Sequence, residues 1–239
     1  MTTQGEHTAP GRPPVAMITG GTGAVGSVLV REFSRAGYQL AVPVRSPQPP
    51  AGETPAGVFF GTADLTSEAQ TQAFVTAVLE RFGRIDVLLH AAGGFNGGEP
   101  LERVTLSDWH RMFELNLETA FVVIRSVLPT MRAQGRGRII CIAALAGMKP
   151  APRYAAYGTS KRALIALVEA VAAELQGSAI TCNALAPATI RTPANLRAMP
   201  DADPDQWVRP EVIASLCLFL ASEEGGGVNG SVLRLPGGQ

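Results

Sequence analysis

Three cysteines and three histidines in 239 residues leave little from which to build a disulfide framework or a metal centre. Cys141, Cys182 and Cys217 are odd in number, sit in apolar runs and lack metal-ligand spacing. They read as buried reduced thiols, and a cytoplasmic location is expected. Net charge is missing too: 20 basic residues balance 20 acidic ones, with no basic run. That balance excludes an electrostatic footprint for nucleic acid or acidic lipid and leaves small-molecule chemistry as the default. Residues 1–14 have neither a basic start nor an apolar core, so no signal peptide or membrane anchor is expected there, only a disordered tail. His7 lies in that tail and is given no metal role.

What the chain does have is apolar content, 46% of its residues, enough for one α/β domain over 15–239 with a sizeable core. From Val15 onward, short continuous apolar runs alternate with helical stretches, the pattern of strands buried on both faces of a doubly wound parallel sheet. The predicted strands are Val15–Ile18, Gln39–Val44, Val58–Gly61, Val87–His90, Arg138–Ile142, Ile180–Ala184 and Ser231–Leu235. Glycine and proline gather after strands, at Gly93–Pro100, Met148–Pro152 and Ala186–Pro193, and ligands of open parallel sheets bind beyond the carboxyl ends of the strands. Ser67 with Gln70 predicts a capping box opening a helix through Glu80. Apolar helices are predicted over Phe113–Met131 and Ser160–Leu175, and a helix start at Ser107-Asp108, beside Trp109 and His110, which receive no chemistry. His90 ends a buried strand and reads as a hydrogen-bonded core histidine rather than a catalytic one.

Four places carry chemistry. The first strand runs into Thr19-Gly20-Gly21-Thr22-Gly23-Ala24-Val25-Gly26 and a helix, where bare backbone can approach a pyrophosphate and the helix amides stabilise its charge. Asp64-Leu65 follows the third strand, where Asp64 either accepts from an adenine amino group or caps the helix that begins near Thr66. Arg45 and Ser46 follow the second strand, where a guanidinium favours a 2′-phosphate and a carboxylate would repel it; no acid follows in sequence until Glu53. The fourth place is Tyr157-Gly158-Thr159-Ser160-Lys161. Residues four apart share a helix face with Cβ atoms about 6 Å apart. The ammonium of Lys161 is therefore expected to favour the phenolate of Tyr157 and bring it toward neutral pH.

Taken together, the glycine turn, Ala91-Ala92-Gly93 after the fourth strand, Asn116, the Tyr157/Lys161 pair and Asn183 to Pro187 resemble the short-chain dehydrogenase/reductase family over residues 15–238. The resemblance implies a Rossmann-type fold and an oxidoreductase transferring hydride between NADP(H) and a C=O or C=N bond. It implies a cofactor site of Gly20, Thr22, Gly23, Ala24, Val25, Gly26, Arg45, Ser46, Asp64, Leu65, Ala91, Ala92 and Gly93, with Tyr157 and Lys161. Pro187, Thr189, Ile190 and Thr192 would pack on the nicotinamide, the Ile190 amide bonding its carboxamide. Tyr157 would be the general acid/base, Lys161 its partner and ribose ligand, and Asn116 the holder of a relay water. The family also implies a homodimer or homotetramer paired through the two apolar helices.

Two departures from the family pattern matter. Ala24 stands where the family commonly has a second glycine, and Ala143-Ala144 align with a Ser-Ser pair that includes the catalytic serine. Losing such an oxyanion donor typically costs about 10²–10³ in rate. The loop Gly93–Gly98, Thr192-Pro193-Ala194-Asn195, Met199-Pro200, Ala202-Asp203 and Trp207 resemble the dihydropteridine reductase branch, which reduces a quinonoid dihydropterin and also has alanine there; Arg45 and Asn116 depart from that branch. The substrate side is expected to include Phe95, Ala144, Tyr154 and Trp207, with Arg153 or Arg191 as polar contacts. The competing expectation is a binding or non-redox protein on the same scaffold.

Overall fold

The computed structural model describes residues 12–46 and 57–238. The predictions for most of residues 1–14 and for Glu53 lie outside the described residues. The elements run β1 Val15–Thr19, α1 Ala24–Arg35, β2 Gln39–Val44, β3 Val58–Thr62, α2 Glu68–Phe82 and β4 Val87–His90. They continue with α3 Leu106–Phe113, a π-helical turn Glu114–Glu118, α4 Thr119–Gln134, β5 Arg136–Ile142 and α5 Ala155–Glu174. The last are β6 Ala179–Pro187, α6 Pro193–Ala198, α7 Pro210–Ala221 and β7 Val232–Leu235. All strand pairs are parallel, in the order β3-β2-β1-β4-β5-β6-β7. This is the doubly wound Rossmann-type sheet, and the order reverses between β1 and β4, where such sheets open a ligand crevice.

Period-two alternation sorts each strand between two apolar layers. Val15 and Met17 face the layer built with Phe74 and Val78 of α2, Val123 and Val127 of α4, and Leu164 and Val168 of α5. Ala16 and Ile18 face the other layer, with Leu29 and Phe33 of α1 and Ile213 and Leu220 of α7. Cys141, Cys182 and Cys217 are free and buried in these layers. Burial pushes the Cys141 thiol up to about 12 and raises the other two as well. No helix among the described residues is long and apolar enough to cross a membrane.

Several local expectations need correction. Gln70 N–H donates to Ser67 Oγ at 3.4 Å, but the Gln70 side chain accepts from the Asp64 amide rather than turning back to Ser67, so only half of the capping box forms, and α2 runs to Phe82. Asp64 is not the cap: its Oδ1 accepts from the Thr66 amide and hydroxyl in a tight turn before the helix. The helix predicted to start at Phe113 begins instead at α3, capped by Thr105 through the Asp108 amide, and crosses the π turn before α4. Trp109 spends its ring on Phe113, with centroids 4.8 Å apart.

Asp86 locks the amino ends of the central strands. Its Oδ2 accepts from the buried Val15 amide at 2.9 Å and from Arg84 Nε at 2.7 Å, while Oδ1 accepts from Arg136 at 3.3 Å. Asp86→Ala leaves a buried amide and two guanidiniums without their acceptor, so it should cost about 2–4 kcal/mol. Urea denaturation checks this; a loss below about 1 kcal/mol would assign the strand ends to packing alone.

Candidate active site

A cleft of about 320 Å³ opens at the switch point, lined by Gly20, Thr22 and Gly23 after β1, Arg45 after β2, Asp64 and Leu65 after β3, and Ala91, Ala92 and Gly93 after β4. Pro43, Val44, Ala63, Leu115 and Thr119 complete it, five residues that motif reading missed. Leu115 and Thr119 reach it because the π turn lies there, which no sequence period announces. The β1–β2 ladder ends at Met17–Ala41, two residues before Pro43, which has no N–H to extend it, so the strands part where the cleft begins.

Close backbone approach shapes the floor. A Cβ on Gly26 would fall 2.0 Å from the Gly20 carbonyl oxygen, and Gly20 itself turns at φ +66°. Only bare backbone lets α1 seat this deeply under the turn. The Gly23 amide donates back to Gly20 O at 2.9 Å, and Ala24 is the first residue of α1, with Val25 one position further, so alanine costs the turn nothing there.

His90 ties the cleft walls together. Its Nδ1 lies 3.0 Å from Thr19 Oγ1 and its Nε2 3.5 Å from Thr119 Oγ1. Thr119 Oγ1 donates to Leu115 O at 2.8 Å, so it must accept from Nε2–H; Thr19 then donates to Nδ1 and accepts from the Ala92 amide. The chain of donors is consistent only for neutral imidazole. Burial first, and the Lys161 charge second, hold His90 down at about 3.

Lys161 and Tyr157 sit on the opening turns of α5. The Lys161 ammonium is buried, donates to Ile142 O at 2.9 Å, and would be 3.2 Å from a Cβ on Gly93. Burial lowers it to about 8. Tyr157 corrects the sequence expectation: burial, then Tyr154, pushes its phenol up to about 12 rather than down. Both causes act in the same direction, and the resting phenol keeps its proton. The Phe95 ring stands edge-on to Tyr157, with centroids 4.9 Å apart. Ala144 is buried at the carboxyl end of β5, and Gly147, three residues on, lies so close to α5 that its Cβ would be 2.8 Å from the Lys161 carbonyl carbon.

Asn116 is fully buried in the π turn, and its side chain is spent on protein. Oδ1 accepts from the Gly94 amide at 2.9 Å, and Nδ2 donates to Gly94 O and Ser160 Oγ, each at 3.0 Å. It thus pins the loop after β4 to α5.

Beyond β6, Ala188 N bonds Leu235 O, and Thr189 O and Arg191 N bond Val208. The Ile190 amide donates to nothing among the described residues. Pro187 ends β6 against Leu235, and Thr192 caps α6 through the Asn195 amide at 3.2 Å. Ser46 is exposed beside Arg45. Trp207 and Arg191 do not join Phe95, Tyr154 and Tyr157. They line a separate 530 Å³ pocket with Arg234 and Gly237, and Arg191 pairs with Asp205 at 3.0 Å. Arg153 also turns from the site, bonding Gly98 O at 3.1 Å.

The short chain dehydrogenase family model matches residues 14–202. D-beta-hydroxybutyrate dehydrogenase of Rhizobium meliloti (strain 1021) is 28% identical over 93% of this chain and 97% of its own length. Levodione reductase of Leifsonia aquatica is 30% identical over 94% of this chain and 93% of its own. The solved structure of ElxO with NADP bound superposes with a TM-score of 0.88 at 24% identity, over 94% of this chain and 97% of that one, and shows the shared fold.

The neutral His90 gives a pH signature. Its folded-state pKa lies below the unfolded value near 6.5, so the unfolded chain takes up a proton that the folded one refuses. Stability should fall as pH drops from about 6.5 toward 3, by about 2 kcal/mol between pH 7 and 5 from this group. Urea titrations of the unmodified chain and His90→Gln should differ in slope by that amount; equal slopes would mean that His90 charges in place.

Proposed function

The chain belongs to the short-chain dehydrogenase family and is an NAD(P)-dependent oxidoreductase, and from that premise we propose that it reduces a conjugated C=O or C=N bond with NADPH, Tyr157 giving the proton. The observation that carries this reading is the convergence of Lys161 with Gly93 at the cleft floor, one helical turn from a phenol that keeps its proton.

The cleft would take the adenosine and pyrophosphate part of a dinucleotide. Its floor is backbone at Gly20, Gly23 and Gly93, and a Cβ on Gly93 would stand 2.7 Å from Asn116 Oδ1. Arg45 is exposed at the adenosine end and would hold a 2′-phosphate. An acid does lie near it in space: Asp64, held below the usual carboxylate range mainly by Thr66, and also by the charge of Arg45. Thr66 is bonded at Asp64 Oδ1, and the exposed guanidinium of Arg45 would be the group that reads the phosphate. The Ile190 amide would take a carboxamide, and Lys161 the ribose hydroxyls. Once bound, the nicotinamide supplies the hydride.

The residues of the chain orient and protonate. A phenol raised to about 12 is a proton donor at rest, which suits reduction. Ala144 offers no hydroxyl to a carbonyl oxygen gaining charge. An imine-like or quinonoid acceptor, a pterin among them, spreads that charge and needs such a donor least. The apolar helices α4 and α5, with Phe121 48% exposed on α4, would pair the chain with a second copy.

Tyr157→Phe keeps the ring and removes the proton. NADPH oxidation with a panel of small ketones, cyclic imines and dihydropterins should fall about 10²–10⁴-fold, with NADPH binding by nicotinamide fluorescence nearly intact. Unchanged turnover would remove Tyr157 from the mechanism. For the cofactor, Arg45→Asp should reverse a preference for NADPH over NADH that rests on a contact worth about 1.5–3 kcal/mol. Tighter NADH binding by the unmodified chain would refute that assignment.

A further inference from the structure

We propose that Phe95 is the specificity-determining residue of this site, a ring held over Tyr157 by a three-residue flap that yields to flat unsaturated substrates and turns away compounds thick with saturated carbon. The proposal rests on the reading of Tyr157 as the reacting acid.

The flap is defined by its two posts. At one end Gly94 is held through both its amide and its carbonyl by Asn116, at 2.9 and 3.0 Å. At the other, the Gly98 amide donates to Arg153 O at 3.0 Å and Gly98 O accepts from Arg153 Nη1 at 3.1 Å. Arg153 has φ +64°, the one non-glycine residue in the left-handed region among those described, so this post is kept at the expense of backbone strain. Only Phe95, Asn96 and Gly97 lie between the posts, and Asn96 Nδ2 is tied to Asp108 Oδ1 at 2.7 Å.

The tip is arranged for contact with rings. Phe95 stands edge-on to Tyr157 at 4.9 Å and to Tyr154 at 5.4 Å, with interplanar angles of 77° and 80°. A Cβ on Gly97 would lie 3.0 Å from both Phe95 Cζ and Tyr154 Cδ1, so the bare backbone there is what lets the rings meet. Phe95 is nevertheless 60% exposed. Packing in the core does not hold it; edge-to-face contacts do, and such contacts are individually small. A planar conjugated substrate can enter beside Tyr157 and return the same ring contacts to Phe95. A saturated cage offers no π face, displaces the ring and gives nothing back.

The test uses the full-length protein with isatin, a flat vicinal dicarbonyl, and camphorquinone, a caged one. Under NADPH, the ratio of kcat/KM for isatin to that for camphorquinone should fall about tenfold in Phe95→Ala, by gain on camphorquinone, and hold in Phe95→Tyr. A second arm needs no turnover: tetranitromethane modification of Tyr157, read by peptide mass spectrometry, should be slow in the unmodified chain and severalfold faster in Phe95→Ala. Isatin should protect Tyr157 better than camphorquinone does, and Phe95→Ala should lose that difference. NADPH oxidation with a ratio unmoved by Phe95→Ala, or equal protection by the two compounds, would overturn the proposal and leave the reductase reading standing. The protection pattern without NADPH oxidation by any compound of the panel would keep the flap and sink the reductase reading.

Discussion

The direction of hydrogen bonding through His90 constrains everything around the cleft. Thr119 must donate to Leu115, so it can only accept from Nε2–H, and the sequence of donors then runs back through Thr19 to the Ala92 amide. That network joins β1, β4, α4 and the loop after β4, and three of its members line the cleft. A fully satisfied polar network in a dry interior holds one arrangement, because any rearrangement strands a buried group. A protonated imidazole would have no acceptor at Nδ1 while Thr19 donates to it. The walls of the cleft thus inherit their spacing from one neutral ring.

Burial is the dominant electrostatic fact on the floor as well. It takes Lys161 down and Tyr157 up, so both groups are displaced toward their uncharged forms. A lysine four residues from a tyrosine reads in sequence as a charge tuning a phenol. In three dimensions the ammonium is committed to Ile142 O and stands beside Gly93, and the phenol is covered by Phe95 and Tyr154. Coulomb attraction falls with distance, whereas desolvation acts on each group alone. The pair is better described as a stored proton beside an ammonium committed to a backbone carbonyl.

The strands were legible because continuous apolar runs have few other uses in a doubly wound sheet. Two of the predicted strands, β2 and β4, agree at both ends, and β6 exceeds its prediction because it continues through Pro187 into the site. The glycine turn, Arg45, Asp64 and Ala91–Gly93 were legible for a related reason: they follow strands, and strand ends define the crevice. The wall contributed by Leu115 and Thr119 was not, since the register of a π turn depends on packing. The pocket that Trp207 lines with Arg234 and Gly237 was not legible, since the parallel bridge between Ile190 and Val208 that fixes this segment joins residues far apart in sequence. Asn116 was singled out from the sequence as a site residue, but the use of its side chain to hold Gly94 was not legible there.

The three thiols have a practical side. Each is enclosed in an apolar layer, and burial holds each in its protonated form well above neutral pH, so none offers the thiolate that electrophiles and disulfide exchange require. Among the described residues the folded chain is therefore silent toward maleimides and iodoacetamides. One cysteine introduced on the surface would be its single reactive handle, and a fluorophore could be attached at a chosen site with all the native sulfur atoms left in place.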